Sequence, residues 1–178
     1  MTRRIERLIA EIQALPESER ADLNRQLARF SWWSPDAPVS VPGADEDFLI
    51  VFDGGSRGNP GAGYGSFLLV RQRDGVEQRR RLELGPQMTS NEAEYDTLIA
   101  ALEELSRWIA ASGLEAGRAS VEVRGDSQLV LRQVGGQWRA RNARMTERRD
   151  RVKAILGRFG RVRLIEQPRG ESVRLLGH

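Results

Sequence analysis

A run of five apolar residues, Phe48–Phe52, ends at Asp53 and is followed by the glycine-rich stretch GGSRGNPGAGYG. An apolar run this short, bounded by glycines, predicts a buried strand rather than a helix. A buried strand must be covered by other elements, so it requires a layered fold built around a sheet. Asp53 is either a residue that starts a turn, which is the commoner role, or a carboxylate that holds a ligand.

The remaining patterns predict the element order βββαβααβ. Strands are predicted at 48–52, 64–71, 77–84, 119–126 and 161–167, and helices at 88–113, 127–136 and 143–160. The turn signal RDG at 73–75 joins the second and third strands into a hairpin. Three hairpin-linked strands followed by helix–strand crossovers predict an α/β fold with a mixed sheet.

The first 46 residues are predicted to lie outside this sheet. Residues 1–30 have apolar residues at helical spacing in two short segments, which predicts an N-terminal helical hairpin. The hairpin is too small to fold alone, so we expect it to dock on the main domain or to mediate a protein contact. Residues 31–46 are proline-rich and predict a linker, which leaves 47–178 as the main domain.

The composition excludes several classes of site. The 178-residue chain has no cysteine, so it has no disulfide framework, no thiolate metal site and no cysteine nucleophile. It has no apolar run of about 18 residues, so no membrane span is expected. The N-terminus carries charges throughout its apolar pattern and does not match a secretory signal, so we expect a cytoplasmic location.

Positive charge is concentrated in one segment. The net charge is +3, and Lys153 is the sole lysine. Residues 139–163 carry nine arginines and Lys153 against Glu147 and Asp150. A basic patch of this kind attracts nucleic acid. The alternative interpretation is a solvated helix face. Coding bias can also raise the overall arginine content.

Three acidic residues occupy positions that such a sheet would bring together. Asp53 follows the first strand and Asp126 the fourth, and the carboxyl ends of parallel neighbours are where open α/β sheets place their sites. Glu94 lies on an apolar stripe of the long helix made of Leu98, Leu102, Leu105 and Ile109. A buried glutamate needs a partner, and converging carboxylates without a base nearby are the ligands that hard divalent metals use.

Each of these positions also has an ordinary structural interpretation. Thr89 and Glu92 fit a capping box at the start of the long helix, so we choose Glu94 rather than Glu92 for the site. Asp126 or Ser127 would serve as the N-cap of the next helix. The combination of the three acids on these elements, more than any one of them, indicates a metal site.

Three segments resemble the motif blocks of type 1 ribonuclease H. They are FDGGSRGNPGAGYG, TSNEAEYDTLIAAL and GDSQLVLRQVGGQW, and the resemblance covers about Asp47 to Pro168. It implies a ribonuclease H-like five-stranded mixed sheet of order 3-2-1-4-5 flanked by helices. It also implies an endoribonuclease that cleaves the RNA strand of RNA–DNA hybrids and leaves 5′-phosphate and 3′-hydroxyl ends.

The resemblance implies a role for each of the three acids. Asp53, Glu94 and Asp126 fall on three of the family's four metal-binding, catalytic carboxylates. Asp53 would bridge two Mg²⁺ ions, and Glu94 and Asp126 would favour the ion on the water side. Mn²⁺ is a candidate substitute for Mg²⁺.

The fourth carboxylate of the family is missing. Its expected position falls near Leu175 or Leu176, and neither side chain can ligate a metal. Glu171 lies about one turn earlier and is a candidate metal ligand. The activity is therefore expected to be impaired, since a lost transition-state contact commonly costs on the order of 3 kcal/mol, about a hundredfold in rate.

Substrate contacts are carried over by the same resemblance. The predicted substrate-binding residues are Gly54, Ser56, Gly58, Asn59, Thr89, Ser90, Asn91, Trp138 and Arg169. Asn59 and the backbone of the SRGN turn match positions that bind RNA 2′-hydroxyls. Thr89 matches a residue that binds a DNA-strand phosphate. Trp138 matches an aromatic residue that packs on the DNA strand. Glycines at 54, 55 and 58 would let the backbone approach the minor groove. Without the family, Asn59-Pro60-Gly61 would indicate an ordinary turn.

Three hypotheses of function follow. The first is a ribonuclease H acting on RNA–DNA hybrids. The second is a catalytically weak or inactive ribonuclease H-like module that binds hybrid or double-stranded RNA. The missing aspartate favours this hypothesis. The three retained carboxylates oppose it, because their mutual repulsion has no purpose without a metal. The third is a structural role in which the N-terminal hairpin mediates assembly.

Overall fold

The apolar run at 48–52 lies in the central strand of a five-stranded sheet in the computed structural model of the chain. The structure describes residues 46–177 together with Leu15, Pro16 and Glu19. The described strands and helices belong to a compact unit, Ser40–His178. Apart from those three residues, the predicted hairpin and all but the last residue of the predicted linker lie outside the described residues.

The sheet has the predicted topology. Its strands are β1 (Phe48–Gly58), β2 (Gly61–Arg71), β3 (Val76–Glu83), β4 (Ser120–Gly125) and β5 (Arg161–Glu166). Their order across the sheet is β3-β2-β1-β4-β5. β1 pairs antiparallel with β2 and parallel with β4, while β2–β3 is antiparallel and β4–β5 parallel. The mixed sheet of order 3-2-1-4-5 is therefore confirmed.

Four helices accompany the strands in the described part of the chain. They are α1 (Ser90–Ala111), α2 (Gln128–Val134), α3 (Ala143–Leu156) and α4 (Arg169–Leu176), with a short 3₁₀ turn at Ala116–Arg118. α1 begins with the predicted capping box, because Thr89 accepts from the Glu92 backbone N–H and the Glu92 carboxylate accepts from that of Thr89. None of the described helices combines the length and apolar character needed to cross a membrane.

Helices α1 to α3 cover one face of the sheet. Their buried side chains form one apolar cluster with Phe48, Ile50 and Phe52 of β1. The predicted stripe of α1 is buried there, and none of its members is more than 1% exposed: Leu98, Leu102, Leu105 and Ile109. Because strand side chains alternate, the other face carries a second, smaller apolar cluster. Its members are Leu49, Val51, Leu68, Val70 and Leu176 of α4, with Leu175 packed against them.

The end of β1 differs from the prediction. β1 continues past Phe52 to Gly58, because every residue from Asp53 to Gly58 pairs with β2. Asp53 therefore lies within the strand, opposite Ser66, instead of ending it. The predicted SRGN turn is also wrong, since the pair Gly58–Gly61 closes the hairpin around two residues. Smaller differences are β2, which begins at Gly61, and α3, which ends at Leu156 because Gly157 caps it.

Candidate active site

Parallel pairing brings two of the predicted acids to the same edge of the sheet. The register pairs Val51 of β1 with Arg124 of β4, so Asp53 and Asp126, each two residues farther along, emerge beside each other. Asp53 is 6% exposed. The side chain of Asp126 is 12% exposed. Both carboxylates therefore lie where the parallel pairing of β1 and β4 ends, as expected. Only β1 continues farther, paired with β2 alone.

Helix α1 adds Glu94 to this edge. Its carboxylate accepts a short hydrogen bond from the hydroxyl of Ser127. Burial raises the pKa of Glu94 to about 7, and the negative charges of Asp126 and Asp53 act in the same direction. Burial and the charge of Asp53 also raise the pKa of Asp126. These effects indicate that the three carboxylates share one electrostatic environment, and we call Asp53, Glu94 and Asp126 the acidic cluster.

The chemistry of the acidic cluster fits a hard divalent cation. Its donors are carboxylate oxygens, and their mutual repulsion is what a bound cation would relieve. In residues 46–177 no three acidic, histidine or cysteine side chains already stand in a metal-binding arrangement. Glu94 is instead turned to Ser127, and Asp126 lies 3.8 Å from the Nη1 of Arg169. The Arg169 side chain is 74% exposed, so this contact is a weak, solvent-screened one.

The hairpin turn and the start of α1 bring together several predicted substrate residues. The hydroxyls of Ser56 and Ser90 are 3.2 Å apart. The backbone N–H of Ser90 donates to the side-chain oxygen of Asn59, with an N–O distance of 3.3 Å. Asn91 follows on the same helix turn and is exposed. These side chains form a polar row of hydroxyl and amide groups beside the acidic cluster.

A cleft of 470 Å³ opens next to the polar row, and we call it the polar cleft. It is lined by Asn59, Thr89, Asn91, Glu92, Asn142, Ala143, Arg144 and Met145. Asn142 is the N-cap of α3, because its side chain accepts from the Met145 backbone N–H. The sequence interpretation missed Asn142, although an asparagine directly before a helical pattern is a capping signal. Arg144 lies 3.4 Å from Glu92 across the cleft.

The sequence and the fold are similar to those of known proteins. Residues 51–173 match a family model described as reverse transcriptase-like. The chain is 36% identical to Ribonuclease HI of Halobacterium salinarum over 123 residues, which are 69% of this chain and 57% of that protein. The chain belongs to the type 1 ribonuclease H family. It spans little more than half the length of that curated ribonuclease HI.

Two solved structures support the ribonuclease H assignment. The N-terminal RNase H domain of Rv2228c from Mycobacterium tuberculosis matches with a TM-score of 0.63 and 26% identity over 72% of this chain and 87% of that one. LC11-RNase H1 in complex with an RNA/DNA hybrid matches with a TM-score of 0.60 and 28% identity over 71% and 89%.

Packing and turn geometry explain three glycines of this ribonuclease H chain without the predicted approach to the minor groove. A Cβ on Gly54 would lie 2.6 Å from the backbone of α1 at Ala93 and Glu94, so Gly54 lets the helix approach β1. A Cβ on Gly55 would lie 2.7 Å from the Tyr64 hydroxyl. Gly58 has a φ of 93°, a conformation that favours glycine at the turn. The missing side chain of Gly54 thus makes room for the helix, and a substrate contact of its backbone stays a prediction.

Two other predicted substrate residues have intramolecular partners as well. The Thr89 hydroxyl donates to the Glu92 carboxylate within the capping box, although Thr89 also lines the polar cleft. Trp138 is 41% exposed, and the guanidinium of Arg132 lies 5.1 Å from the centre of its ring. Both side chains remain at the surface, so their predicted contacts with a DNA strand stay predictions.

Much of the predicted basic patch is neutralised within the domain. Arg148 pairs with Asp96 at 2.8 Å, and Arg151 with Glu103 at 2.5 Å. Further pairs join Arg144 to Glu92, Arg149 to Asp150, Arg161 to Glu46 and Arg163 to Glu122. This pairing weakens the case for a nucleic-acid patch on α3 and favours the alternative, a solvated helix face. Four basic side chains of residues 139–163 make no ion pair with any described residue: Arg139, Arg141, Lys153 and Arg158.

The expected position of the fourth aspartate lies in α4. Leu176 is 7% exposed and belongs to the smaller apolar cluster on the sheet, and Leu175 packs against that cluster. Glu171 is exposed and accepts a hydrogen bond from Arg174 at 2.7 Å. The role of Glu171 as a metal ligand stays a prediction.

The raised pKa of Glu94 predicts a pH dependence of stability in the absence of metal. The folded chain holds the Glu94 proton up to about pH 7, whereas a free glutamate releases it near 4.5. The free energy of unfolding should therefore fall as the pH rises from about 5 to 8, and urea titrations in EDTA would measure it. Glu94→Gln should reduce this slope. Glu104→Gln is the control and should keep the wild-type slope, because the hydrogen bond and charge of Arg107 lower the pKa of Glu104. Equal slopes in the two variants would contradict the raised pKa of Glu94.

Proposed function

We propose that this chain hydrolyses the RNA strand of RNA–DNA hybrids internally and leaves 5′-phosphate and 3′-hydroxyl ends. The observation that carries the proposal is the acidic cluster at the sheet edge, where burial, and after it the charges of Asp126 and Asp53, raises the pKa of Glu94. The choice of substrate is supported by similarity to LC11-RNase H1, whose crystal structure contains an RNA/DNA hybrid.

The acidic cluster would hold two Mg²⁺ ions, with Mn²⁺ as a substitute. Such ions supply an activated water and stabilise the leaving oxygen of a phosphodiester. Asp53, Glu94 and Asp126 would hold these ions. The Ser127 hydroxyl donates to the Glu94 carboxyl and would orient it toward a bound cation.

The polar row and the polar cleft would bind the two strands of the hybrid. Ser56, Asn59 and Ser90 offer neighbouring hydroxyl and amide groups that would bind the ribose 2′-hydroxyl, the group by which RNA differs from DNA. Thr89 and Arg144 line the polar cleft and would face a DNA-strand phosphate. Trp138 would pack on the DNA strand, and Arg169 would contact a phosphate beside Asp126.

The absence of a carboxylate at Leu176 would make this enzyme slow. Without the fourth ligand the second ion would be held weakly unless Glu171 turns from Arg174 toward it. A binding module that retains hybrid affinity but has lost its chemistry is the second candidate, and Leu176 in the apolar cluster is the observation that favours it.

Cleavage of an end-labelled RNA–DNA hybrid, first with Mg²⁺ and then with Mn²⁺, tests the proposal. We expect internal cuts in the RNA strand of the hybrid, and no cuts in double-stranded RNA or DNA. Hybrid binding without cleavage in either metal would contradict the enzyme and support the binding module. Cleavage of double-stranded RNA at the same rate would contradict the assigned substrate.

A further inference from the structure

A groove of 740 Å³ lies on the hairpin of β1 and β2 and reaches the edge strand β3. Its polar and aromatic side chains are Arg57, Tyr64, Ser66, Arg81 and Glu83. Ser66 lies directly opposite Asp53 in the sheet register, so the groove begins where the acidic cluster ends. We call it the Tyr64 groove, and none of the roles given above uses it.

The sheet register orders the side chains of the Tyr64 groove. Asp53 and Arg57 are four residues apart on β1 and point to the same face, because strand side chains alternate. Tyr64 pairs with Gly55, which lies between them, and its ring covers that glycine because a Cβ there would lie 2.7 Å from the tyrosine hydroxyl. The ring is 38% exposed. An aromatic surface thus continues directly from Asp53 along the strand.

Positive charge flanks this aromatic surface. The guanidinium of Arg57 lies 5.7 Å from the centre of the Tyr64 ring. Arg81, on β3 opposite Ser66, donates to the backbone oxygen of Gly177. Both arginines are exposed, and neither makes an ion pair with a described residue. Glu83 is the acidic member, and it lies on β3 opposite Tyr64, two residues along the strand from Arg81.

These features match the chemistry of single-stranded nucleic acid binding. Such sites combine an exposed aromatic ring, on which a base stacks, with basic groups that follow the phosphates. A pocket of 740 Å³ lies within the roughly 300–1,000 Å³ typical of small-molecule sites, so it has room for a nucleotide. An apolar peptide would leave Arg57 and Arg81 without acidic partners, which makes it the poorer occupant.

We propose that the Tyr64 groove binds a nucleotide of single-stranded RNA that continues from the hybrid past the acidic cluster. Its base would stack on Tyr64, and its flanking phosphates would contact Arg57 and Arg81. The inference rests on the proposed function, because the RNA strand is the one that lies at Asp53. It adds a preference for hybrids that carry a single-stranded RNA extension.

Binding of fluorescent hybrids in EDTA, measured by anisotropy, tests this inference without cleavage. The probes are a blunt hybrid, the same hybrid with an RNA extension at either end, and the same hybrid with a DNA extension. One RNA extension should lower the Kd of the wild type about tenfold, the size of a base–aromatic stack. Tyr64→Leu should remove that gain and leave the blunt hybrid unaffected, whereas Tyr64→Phe should keep it.

A charge control and a second probe complete the test. Arg57→Gln should reduce the gain, whereas Arg158→Gln, which removes an exposed charge elsewhere, should not. An equal gain in Tyr64→Leu, or an equal gain from a DNA extension, would overturn the proposal. If the blunt hybrid is neither bound nor cleaved, the proposed function fails. Single-stranded RNA alone then tests the Tyr64 groove. Tyr64→Leu must bind this RNA about tenfold more weakly than Tyr64→Phe.

Discussion

Asp53→Asn should abolish hybrid cleavage while leaving the protein folded and able to bind hybrid. The asparagine has the shape of the aspartate but no charge, so the acidic cluster would hold divalent cations much more weakly. We expect cleavage to fall by at least about a thousandfold, which corresponds to roughly 4 kcal/mol of transition-state stabilisation. Initial rates on an end-labelled hybrid, at saturating Mg²⁺ and again at saturating Mn²⁺, measure the loss.

The same substitution gives an independent readout that separates chemistry from folding. The charge of Asp53 raises the pKa of both Glu94 and Asp126, so its removal should lower both pKa values. Metal-free Asp53→Asn should therefore be at least as stable as the wild type above pH 7. Asp150→Asn is the matched control, since this carboxylate pairs with Arg149 on the surface of α3 and should leave cleavage unchanged. Wild-type rates in Asp53→Asn would exclude a catalytic role for the acidic cluster.

The regular elements could be predicted from the sequence because their patterns are local. The stripe of α1, its Thr89 cap and the apolar run of β1 each specify an element by spacing alone, and all three occur as predicted. The choice of Glu94 over Glu92 also followed from spacing. Glu92 serves the cap and pairs with Arg144, whereas Glu94 joins the acidic cluster.

The end of β1 could not be predicted because its cause is not local. The segment GGSRG has no strand propensity, and glycines are the usual signal for a loop. It becomes a strand because an equally glycine-rich segment of β2 pairs with it residue by residue. The bulk of a side chain would obstruct α1 at Gly54 and Tyr64 at Gly55, so the composition reflects close packing on both faces of the hairpin.

The arginines illustrate a second limit of sequence interpretation. A count of charges along 139–163 cannot reveal partners that are distant in sequence. Arg148 and Arg151 reach Asp96 and Glu103 on α1, each about fifty residues away. Arg57 and Arg81, which make no ion pair with a described residue, lie outside this segment, on β1 and β3. Only the folded arrangement therefore shows which basic side chains have no acidic partner among the described residues.

Gly54→Ala should destabilise the domain and impair cleavage together. The new Cβ would lie 2.6 Å from the Ala93 carbonyl oxygen and from the Glu94 nitrogen, and neither is the flexible end of a side chain. α1 must therefore shift away from β1, at a cost of about 2–3 kcal/mol, the upper part of the usual range for overpacking. For a domain of this size we expect the melting temperature to fall by roughly 5–10 °C.

The shift of α1 would also carry Glu94 away from Asp53 and Asp126. A displacement of about 1 Å at a reacting centre can cost on the order of a hundredfold in rate, so the loss of cleavage should exceed the loss of folded protein. Gly117→Ala is the matched control, because a Cβ there meets nothing within 4 Å. Thermal unfolding and hybrid cleavage, measured on both variants below their melting temperatures, decide between two roles for Gly54. If Gly54 only lets substrate approach, Gly54→Ala will melt with the wild type and lose hybrid affinity, whereas a contact with α1 requires it to melt earlier.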